Sequence, residues 1–271
     1  MSEFYDGGYF VDENGKPYGV KHIDNKPRVS AMPYLFDIVE GNIADHTYIN
    51  KFGHNAAVGA AYETIWSGSN AYPYLSAADQ IEVLSDDADD DGSPAGAGAR
   101  TVQILGLDGN YDIVDETVTM NGAGVVTTTA TFLRVFRAKV VTAGTSLVNE
   151  GTITIRDQDT DTTRAQIEPL LGQTLMAVWT VPADYTFYMT SWYLSSAVSK
   201  AIDIGIWARD NTVTDAAFQN KRFMNFKENV FQYAFELPQP FTEKTDIEIR
   251  ALAGGGGGDV SAGFSGWYEA N

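Results

Sequence analysis

The amino-acid sequence predicts a mainly β protein, in which an irregular N-terminal arm with one short helix precedes two antiparallel β-sandwich or jelly-roll domains. Three observations lead to this prediction. Apolar and polar residues alternate along several segments, two-residue turn signals separate some of them, and aromatic residues make up 12% of the chain. Alternation places one face of a strand in a core and the other in water, as in antiparallel sheets. About seven strands in roughly 100 residues fit a sandwich or a jelly roll. The spacing of the strands is compatible with both topologies.

Residues 1–55 are predicted to form the arm, because they contain many turn signals and little repetitive core pattern. Asn14-Gly15 lies between two short apolar segments, and this dipeptide is a strong signal for a tight β-hairpin. Residues 30–40 predict the short helix, which Gly41 ends. Such an arm packs against another protein or wraps around its own domain, and the sequence leaves both alternatives open.

Residues 56–168 are predicted to form the first, acidic β-sandwich domain. Asp108-Gly109 joins two strand-like segments and predicts a hairpin. Alternation along 110–120 is imperfect, since Val114 and Glu116 would share a face, and a β-bulge is one way to restore it. The domain has 17 acidic and 6 basic side chains, a net charge of −11, so we expect it to present the most water-exposed surface.

Residues 169–271 are predicted to form the second β-sandwich or jelly-roll domain, because the strand signal is strongest there. Residues 202–207, 231–237 and 246–250 each alternate apolar with polar side chains. Residues 185–194 differ, because aromatic side chains occupy both faces of this strand. Such a strand must be covered twice, by its own sandwich core and by a neighbouring domain or a second subunit. The residues expected at a subunit interface are Tyr185, Phe187, Tyr188, Trp192 and Tyr193.

Composition argues against several classes of function. The 271 residues include 18 Lys and Arg against 36 Asp and Glu, a formal charge of −18, so neither nucleic acid nor a membrane is an expected partner. The clustered Arg134, Arg137 and Lys139 are instead expected to pair with carboxylates inside the protein or between subunits. Cys is absent, which excludes disulfides, thiolate metal sites and a cysteine nucleophile. No apolar run approaches ~20 residues and the N-terminus has no secretory pattern, so neither a membrane span nor a signal peptide is predicted.

Two runs of alternating aspartates are candidates for calcium. The first consists of Asp87, Asp89 and Asp91, and the second of Asp157, Asp159 and Asp161. Carboxylates at alternate positions open the calcium loop of EF-hand proteins, which also needs a glycine at its sharp turn and a glutamate at its last position. The first run has Gly98 at that last position, and the second has Thr162 in place of the glycine. A solvated acidic loop explains both runs better, and no other cofactor is expected.

The sequence contains no recognisable catalytic arrangement. Its histidines are His22, His46 and His54. They form no pair at zinc-binding spacing, and all lie in the predicted arm. The glycine run 254–258 lacks the lysine of a phosphate-binding loop and predicts a flexible connection. Paired carboxylates for cleavage of a glycosidic bond remain open, because the fold sets their separation.

One aromatic cluster points to carbohydrate. Trp66, Tyr72 and Tyr74 lie near Gly68 and Pro73, and a loop that stacks these rings on sugars is one interpretation. It predicts a carbohydrate-binding or carbohydrate-active β-sandwich module with a host-surface glycan as partner. The alternative is that the rings form the edge of an aromatic core, and this alternative is favoured.

Several turn and strand signatures resemble a known family. They are RTVQILGLDG (100–109), ETVTMNG (116–122), TTTAT (127–131), WTVPA (179–183), GFSGW (263–267) and SAMPYLFDIVEGNI (30–43). They resemble the β-rich virion structural proteins of tailed bacteriophages. The resemblance implies a non-enzymatic part of the virion that decorates the capsid head or forms a head fibre, with a tail fibre or tail-adaptor subunit as the alternative. It implies no active site.

The strand with two aromatic faces also predicts a homo-oligomer, with a trimer favoured. Virion proteins with such surfaces usually hide them in symmetric subunit contacts, often around a threefold axis. The arm is then expected to attach the chain to the particle through its helix. The apolar residues expected there are Tyr34, Leu35, Phe36 and Ile38. In the alternative, the arm itself links the subunits.

Overall fold

The computed structural model describes residues 9–11, 17–23, 26–29, 34–68, 70–197, 200–227, 229–254 and 257–271. Of the described residues, 60% lie in strands and 3% in helix, and the strands form several antiparallel sheets. The predicted mainly β class, with one short helix near the N-terminus, is confirmed. No helix in the described part of the chain has the length and apolar character that crossing a bilayer would require.

Compact packing divides the chain into residues 1–47 and 48–271. The first unit contains strands β1 (Tyr9–Val11), β2 (Pro17–Ile23) and β3 (Lys26–Val29), followed by helix α1 (Tyr34–Val39). β1 and β2 pair antiparallel, as the predicted hairpin requires, although Asn14-Gly15 lies outside the described residues. Helix α1 is shorter than the predicted 30–40, of which 30–33 lie outside the described residues. Gly41 adopts a φ of 72° just after the helix, which is the left-handed conformation that ends helices.

The second unit contains two β-sandwiches. Its strands, in chain order, are β4 (His46–Val58), β5 (Glu63–Thr64), β6 (Asp79–Ser85), β7 (Ala99–Leu107), β8 (Ile113–Thr119), β9 (Val126–Phe132), β10 (Arg134–Ala143), β11 (Ile153–Asp157), β12 (Thr163–Ile167), β13 (Val178–Thr180), β14 (Tyr185–Ser196), β15 (Ile202–Asp210), β16 (Gln219–Phe226), β17 (Asn229–Phe241), β18 (Thr245–Ala253) and β19 (Gly258–Ala270). β4 lies in the same sheet as β19, so residues 48–55 of the predicted arm take part in the second sandwich. The predicted domain limits at 56 and 169 remain predictions.

The first sandwich packs a sheet of order β12-β11-β6-β9 against a sheet of order β10-β7-β8. Alternate side chains of both sheets point into one core, whose fully buried members include Ile81, Ile104, Phe132 and Ile155. Burying one such side chain stabilises the folded state by about 1.5–3 kcal/mol. The polar residues between them face outwards, as the alternation predicts.

The hairpin predicted at Asp108-Gly109 is confirmed, because β7 and β8 pair antiparallel on either side of it. Their register runs without a shift, so β8 contains no bulge to correct its imperfect alternation. The carboxylate of Glu116 instead accepts hydrogen bonds from the backbone amides of Thr129 and Ala130, at 2.9 and 2.7 Å. These bonds join the edge strands β8 and β9 of the two sheets. An acidic residue at this position therefore links the two sheets at the strands that end their orders in the described part of the chain.

The second sandwich packs a sheet of order β17-β14-β19-β4 against a sheet of order β13-β18-β15-β16, with the short β5 beside β18. Its core contains the fully buried Trp179, Phe187 and Phe264, together with the isoleucines of β15 and β18. β16 and β17 each lie at the edge of their own sheet. Both edges therefore present backbone groups that are not paired with a further strand of this sheet order.

Candidate functional site

The two sandwiches meet at a buried ion pair between Arg134 of β10 and Asp246 of β18. Arg134 Nε donates to Asp246 Oδ1 at 2.8 Å, and Arg134 Nη2 donates to Oδ2 at 3.1 Å. Thr180 and Arg209 also donate to this carboxylate, at 2.7 and 2.6 Å. Burial alone would raise the pKa of Asp246. The charge and hydrogen bonds of Arg134, together with the hydrogen bonds of Thr180 and Arg209, instead hold this pKa below its usual range. The prediction that Arg134 pairs with a carboxylate inside the protein is confirmed.

Glu248 lies two residues further along β18. Arg250 Nε donates to its Oε1 at 2.7 Å, and Thr64 Oγ1 donates to its Oε2. Burial raises the pKa of Glu248, and the opposing effects of Arg250 and Thr64 are smaller. Carboxylates with oppositely shifted pKa values suit acid–base catalysis when a substrate can reach them. The side chains of Asp246 and Glu248 are 0% exposed, so both are closed to a substrate in this conformation. Asp246 joins the two sandwiches through Arg134, whereas Glu248 binds Thr64 and Arg250 within the second sandwich.

A second junction joins β4 to β10. Lys51 is buried and donates to the carbonyl oxygen of Phe136. Burial, and then the positive charge of Arg137, lower the pKa of Lys51 well below its usual range. Arg137 donates to the carbonyl oxygen of Asn50 at 2.6 Å, and its guanidinium carbon lies 5.5 Å from the ring centroid of Phe52. Arg137 was expected to pair with a carboxylate. Among the described residues, it instead contacts a carbonyl oxygen and an aromatic ring.

The aromatic cluster proposed for sugar stacking lies inside the protein. Trp66 and Tyr72 are 3% and 6% exposed, and Tyr74 is largely covered. The Tyr72 ring contacts those of Trp66 and Tyr74 edge to face, with centroids 5.1 and 4.8 Å apart. The Tyr72 hydroxyl donates to the carbonyl oxygen of Val135 at 2.8 Å, and burial raises the pKa of this tyrosine. The rings form the edge of an aromatic core, as the alternative interpretation predicts, because their faces are used for packing and not for a ligand.

The acidic loop before β7 is organised around Asp90, which the sequence does not single out from its neighbours. Its carboxylate is fully buried and accepts four hydrogen bonds. The donors are the backbone amides of Ala99 (2.7 Å), Glu150 (2.9 Å) and Gly151 (3.0 Å) and the hydroxyl of Ser85 (2.7 Å). Asp90 thereby ties this loop to the start of β7 and to the loop before β11.

Three of the aspartates proposed as calcium ligands, Asp87, Asp91 and Asp157, accept hydrogen bonds within turns. Asp87 accepts from the backbone amide of Asp89 at 2.8 Å, and Asp91 accepts from that of Ser93 at 2.7 Å. In the second run, Asp157 pairs with Arg164 at 2.9 Å. Burial alone would raise the pKa of Asp157, but its hydrogen bonds with Thr160 and the charge of Arg164 lower it. Across the residues that the structure describes, no group of three or more His, Cys, Asp or Glu side chains is arranged to hold a metal ion.

The helix predicted to attach the chain to a particle presents an apolar surface. Tyr34, Leu35 and Phe36 are exposed, as is Val39, and Ile38 is buried. The hydroxyl of Tyr34 shares a hydrogen bond of 2.7 Å with Nε2 of His46 within the same unit. Exposed aromatic and aliphatic side chains on one short helix form a surface suited to contact with another protein.

The strand predicted to form a subunit interface has one face in the core of its own sandwich. Phe187 and Trp192 of β14 are buried there, so they are closed to a second subunit in this structure. Tyr185, Tyr188 and Tyr193 are partly exposed. Tyr188 lies on the other face, where its ring stacks on that of Trp267 with centroids 5.3 Å apart. Residues of the same chain therefore already bury part of the aromatic surface of this strand.

A different exposed apolar surface lies on the edge strands β16 and β17. Its exposed large side chains are Phe223, Val230, Tyr233 and Leu237. Sequence alternation assigns Tyr233 and Leu237 to an inward face, and Tyr233 does pair with the buried Trp192 across β14 and β17. In the sheet order of the described residues β17 has a neighbouring strand on one side only, so these side chains remain exposed. The signal in the sequence is Pro238 and Pro240, since proline within a strand pattern is confined to sheet edges and bulges.

No protein-family model matches this chain, and no curated protein matches it in sequence. Solved structures show a weak similarity, and two of them serve as examples. The crystal structure of the PBSX exported protein XepA is 11% identical, with 97% of this chain and 99% of that chain covered and a TM-score of 0.18. The crystal structure of the infectious bursal disease virus VP2 subviral particle is 12% identical, with 89% and 82% covered and a TM-score of 0.19. TM-scores this low carry no argument about the fold or the function of this chain.

Proposed function

We propose that this chain is a non-enzymatic structural subunit of a bacteriophage particle and that it decorates the capsid head. The observation that carries the proposal is the exposure of apolar side chains on two separate surfaces, helix α1 and the edge strands β16 and β17. Contiguous apolar exposure marks contact with another protein or a membrane. A net charge of −18 opposes binding to an anionic membrane, which leaves protein as the partner.

The resemblance of the turn and strand signatures to phage virion proteins supports a particle as the setting of these contacts. In this proposal, the N-terminal unit attaches to the particle through Tyr34, Leu35 and Phe36, and the second sandwich contacts further copies of the chain. Ile38 is buried and takes no part in the attachment. The expected assembly is a trimer. The buried state of Asp246 and Glu248 supports a role without catalysis, because the carboxylates with shifted pKa values bind arginines inside the protein.

Location on the particle tests the proposed role directly. Antibodies against the chain, coupled to gold, are applied to purified virions of the phage that encodes it and viewed by electron microscopy. Label on the heads supports the proposal. Label confined to the tails overturns head decoration in favour of the tail-fibre or tail-adaptor alternative, and unlabelled particles overturn the virion role.

The attachment surface is tested in the full-length chain. Leu35→Asp combined with Phe36→Asp places two charges on the exposed face of α1 and should abolish binding to particles that lack the native protein. Val125→Asp is a matched control, because Val125 in the first sandwich is 43% exposed and Leu35 is 44% exposed. Equal binding of the two variants would remove α1 from the proposed attachment.

A further inference from the structure

The edge strand β17 contains a bulge that projects from its sheet. Ser191 of β14 pairs with Ala234, and Met189 pairs with Gln239. Only Thr190 lies between the two residues on β14, whereas residues 235–238 lie between their partners on β17. Four residues opposite one force β17 away from its neighbour. Leu237, within this bulge, is 83% exposed.

A cleft of about 400 Å³ opens beside the bulge. It lies between the segment that follows β15 and the end of β17, and its apolar lining consists mainly of small side chains. The apolar lining residues that matter here are Ala208, Val213, Ala216, Ala217 and Phe241. A cavity of about 150 Å³ already accommodates a benzene-sized group. The cleft therefore has room for a leucine side chain and part of the backbone that carries it.

The bulge has a negative side chain, and the lining of the cleft includes one positive and one negative side chain. Glu236 is exposed and directly precedes Leu237. Lys221 lines the cleft, where its Nζ donates to Gln219 Oε1 at 2.8 Å. The other charged residue of the lining, Asp210, accepts hydrogen bonds from Thr212. The arrangement places a glutamate beside the projecting leucine and a lysine in the wall of an apolar cleft.

We propose that the bulge of one copy of this chain docks into the cleft of a second copy, with Leu237 in the cleft and Glu236 beside Lys221. A second copy is the occupant because every copy carries both complementary features, side by side on one edge of the second sandwich. A bulge that enters a different surface on the next copy makes a heterologous contact, which closes into a ring when the rotation permits. The inference rests on the homo-oligomeric part of the proposed function and is independent of the location on the capsid head.

Sedimentation of the full-length chain tests this contact. The wild type is expected to sediment as an oligomer, and Leu237→Asp should raise the dissociation constant on the order of 30-fold or more, as for loss of an interface hot spot. Leu147 is the matched control, because it is 82% exposed and lies in the first sandwich. Leu147→Asp should leave the association unchanged. A monomeric wild type, or equal effects of the two substitutions, would overturn the inference.

The charge pair is tested by exchange. Glu236→Lys and Lys221→Glu should each weaken the association, because each places like charges together. The protein with both substitutions should regain most of the wild-type affinity. A double variant no tighter than either single variant would exclude this pairing.

Cross-linking identifies the two surfaces, because the chain has no Cys of its own. Leu237→Cys protein mixed with Ala216→Cys protein should form a disulfide-linked heterodimer under mild oxidation, whereas Leu147→Cys mixed with Ala216→Cys should not. Failure to obtain the first heterodimer, with the wild type oligomeric, would place the subunit contact elsewhere. These experiments are made in solution, so a negative result in them does not contradict the proposed location on the head. A negative result in head labelling likewise does not contradict this subunit contact.

Discussion

Asp246→Asn is the substitution that tests the joint between the two sandwiches most directly. It keeps the size of the side chain and removes its negative charge. The Arg134 and Asp246 side chains are 5% and 0% exposed, so the arginine would remain buried opposite a neutral amide. Arg209, whose Nη2 donates to the same carboxylate at 2.6 Å, would lose its ion pair as well.

The expected loss of stability follows from the remaining partners. Removing one member of a buried ion pair costs about 3–5 kcal/mol. Arg134 Nη1 still donates to the carbonyl oxygens of Leu75 and Leu133, each at 2.9 Å, and Arg209 still lies 4.7 Å from the ring centroid of Tyr74. These contacts place the expected loss at the lower end, about 3 kcal/mol. With a urea dependence of about 2 kcal/mol per M, the unfolding midpoint should fall by about 1.5 M.

Urea unfolding followed by tryptophan fluorescence measures this change. Asp115→Asn is the matched control, because Asp115 is exposed on β8 and accepts one hydrogen bond from Gln103 Nε2 at 2.7 Å. Its effect should stay within about 0.5 kcal/mol. If Asp246→Asn costs no more than this control, the Arg134–Asp246 pair does not stabilise the joint and the reasoning is refuted.

The pH dependence provides a second check of the same prediction. The pKa of Asp246 is lower in the folded chain than its ordinary value. Its ionised form therefore contributes stability above the unfolded pKa, and this contribution is lost as the pH falls through the folded pKa. The difference in unfolding free energy between the wild type and Asp246→Asn should be largest near neutral pH and should shrink in acid.

Three further substitutions test individual contacts. Glu248→Gln should cost only about 1–2 kcal/mol at neutral pH, measured by urea unfolding, because burial raises the pKa of Glu248 and already disfavours its ionised form. The stability contribution of Glu248 is present below its unfolded pKa and declines as the pH rises through the folded pKa, so the cost should grow in mild acid. Asp90→Ala should cost about 3 kcal/mol, because it leaves two buried amides and one partly buried amide without their acceptor, and limited proteolysis should then cleave within 86–98. Tyr72→Phe removes the hydrogen bond to Val135 and should lower the melting temperature by about 2–4 °C, with no change in the far-ultraviolet spectrum.

Much of the fold can be predicted from the sequence because a strand's two faces are a local property. Residues 202–206 alternate in the sequence, and their isoleucines are fully buried in the second sandwich. The pairs β1 with β2 and β7 with β8 join neighbours in the chain, so the short-range turn signals at Asn14-Gly15 and Asp108-Gly109 are enough to predict them. Neither signal depends on where the rest of the chain lies.

The candidate surfaces and the joint depend on distant residues, which the sequence does not bring together. Arg134 and Asp246 are 112 positions apart, and only the packing of one sandwich on the other makes them partners. From the sequence, Trp66 and Tyr72 could stack on sugars as readily as pack in a core, because the identity of a residue does not show which other residues cover it. The structure assigns them to the core.

The sequence by itself determined the β class, a short helix near the N-terminus, the acidic charge and the alternation of the strands, because these are properties of composition and of neighbouring residues. The tertiary structure alone decided which alternating strands are covered. β15 and β17 have the same pattern, yet β15 lies between two strands and β17 lies at an edge, where Leu237 remains exposed. The physical reason is that burial depends on the element packed against a side chain, and that element comes from a distant part of the chain.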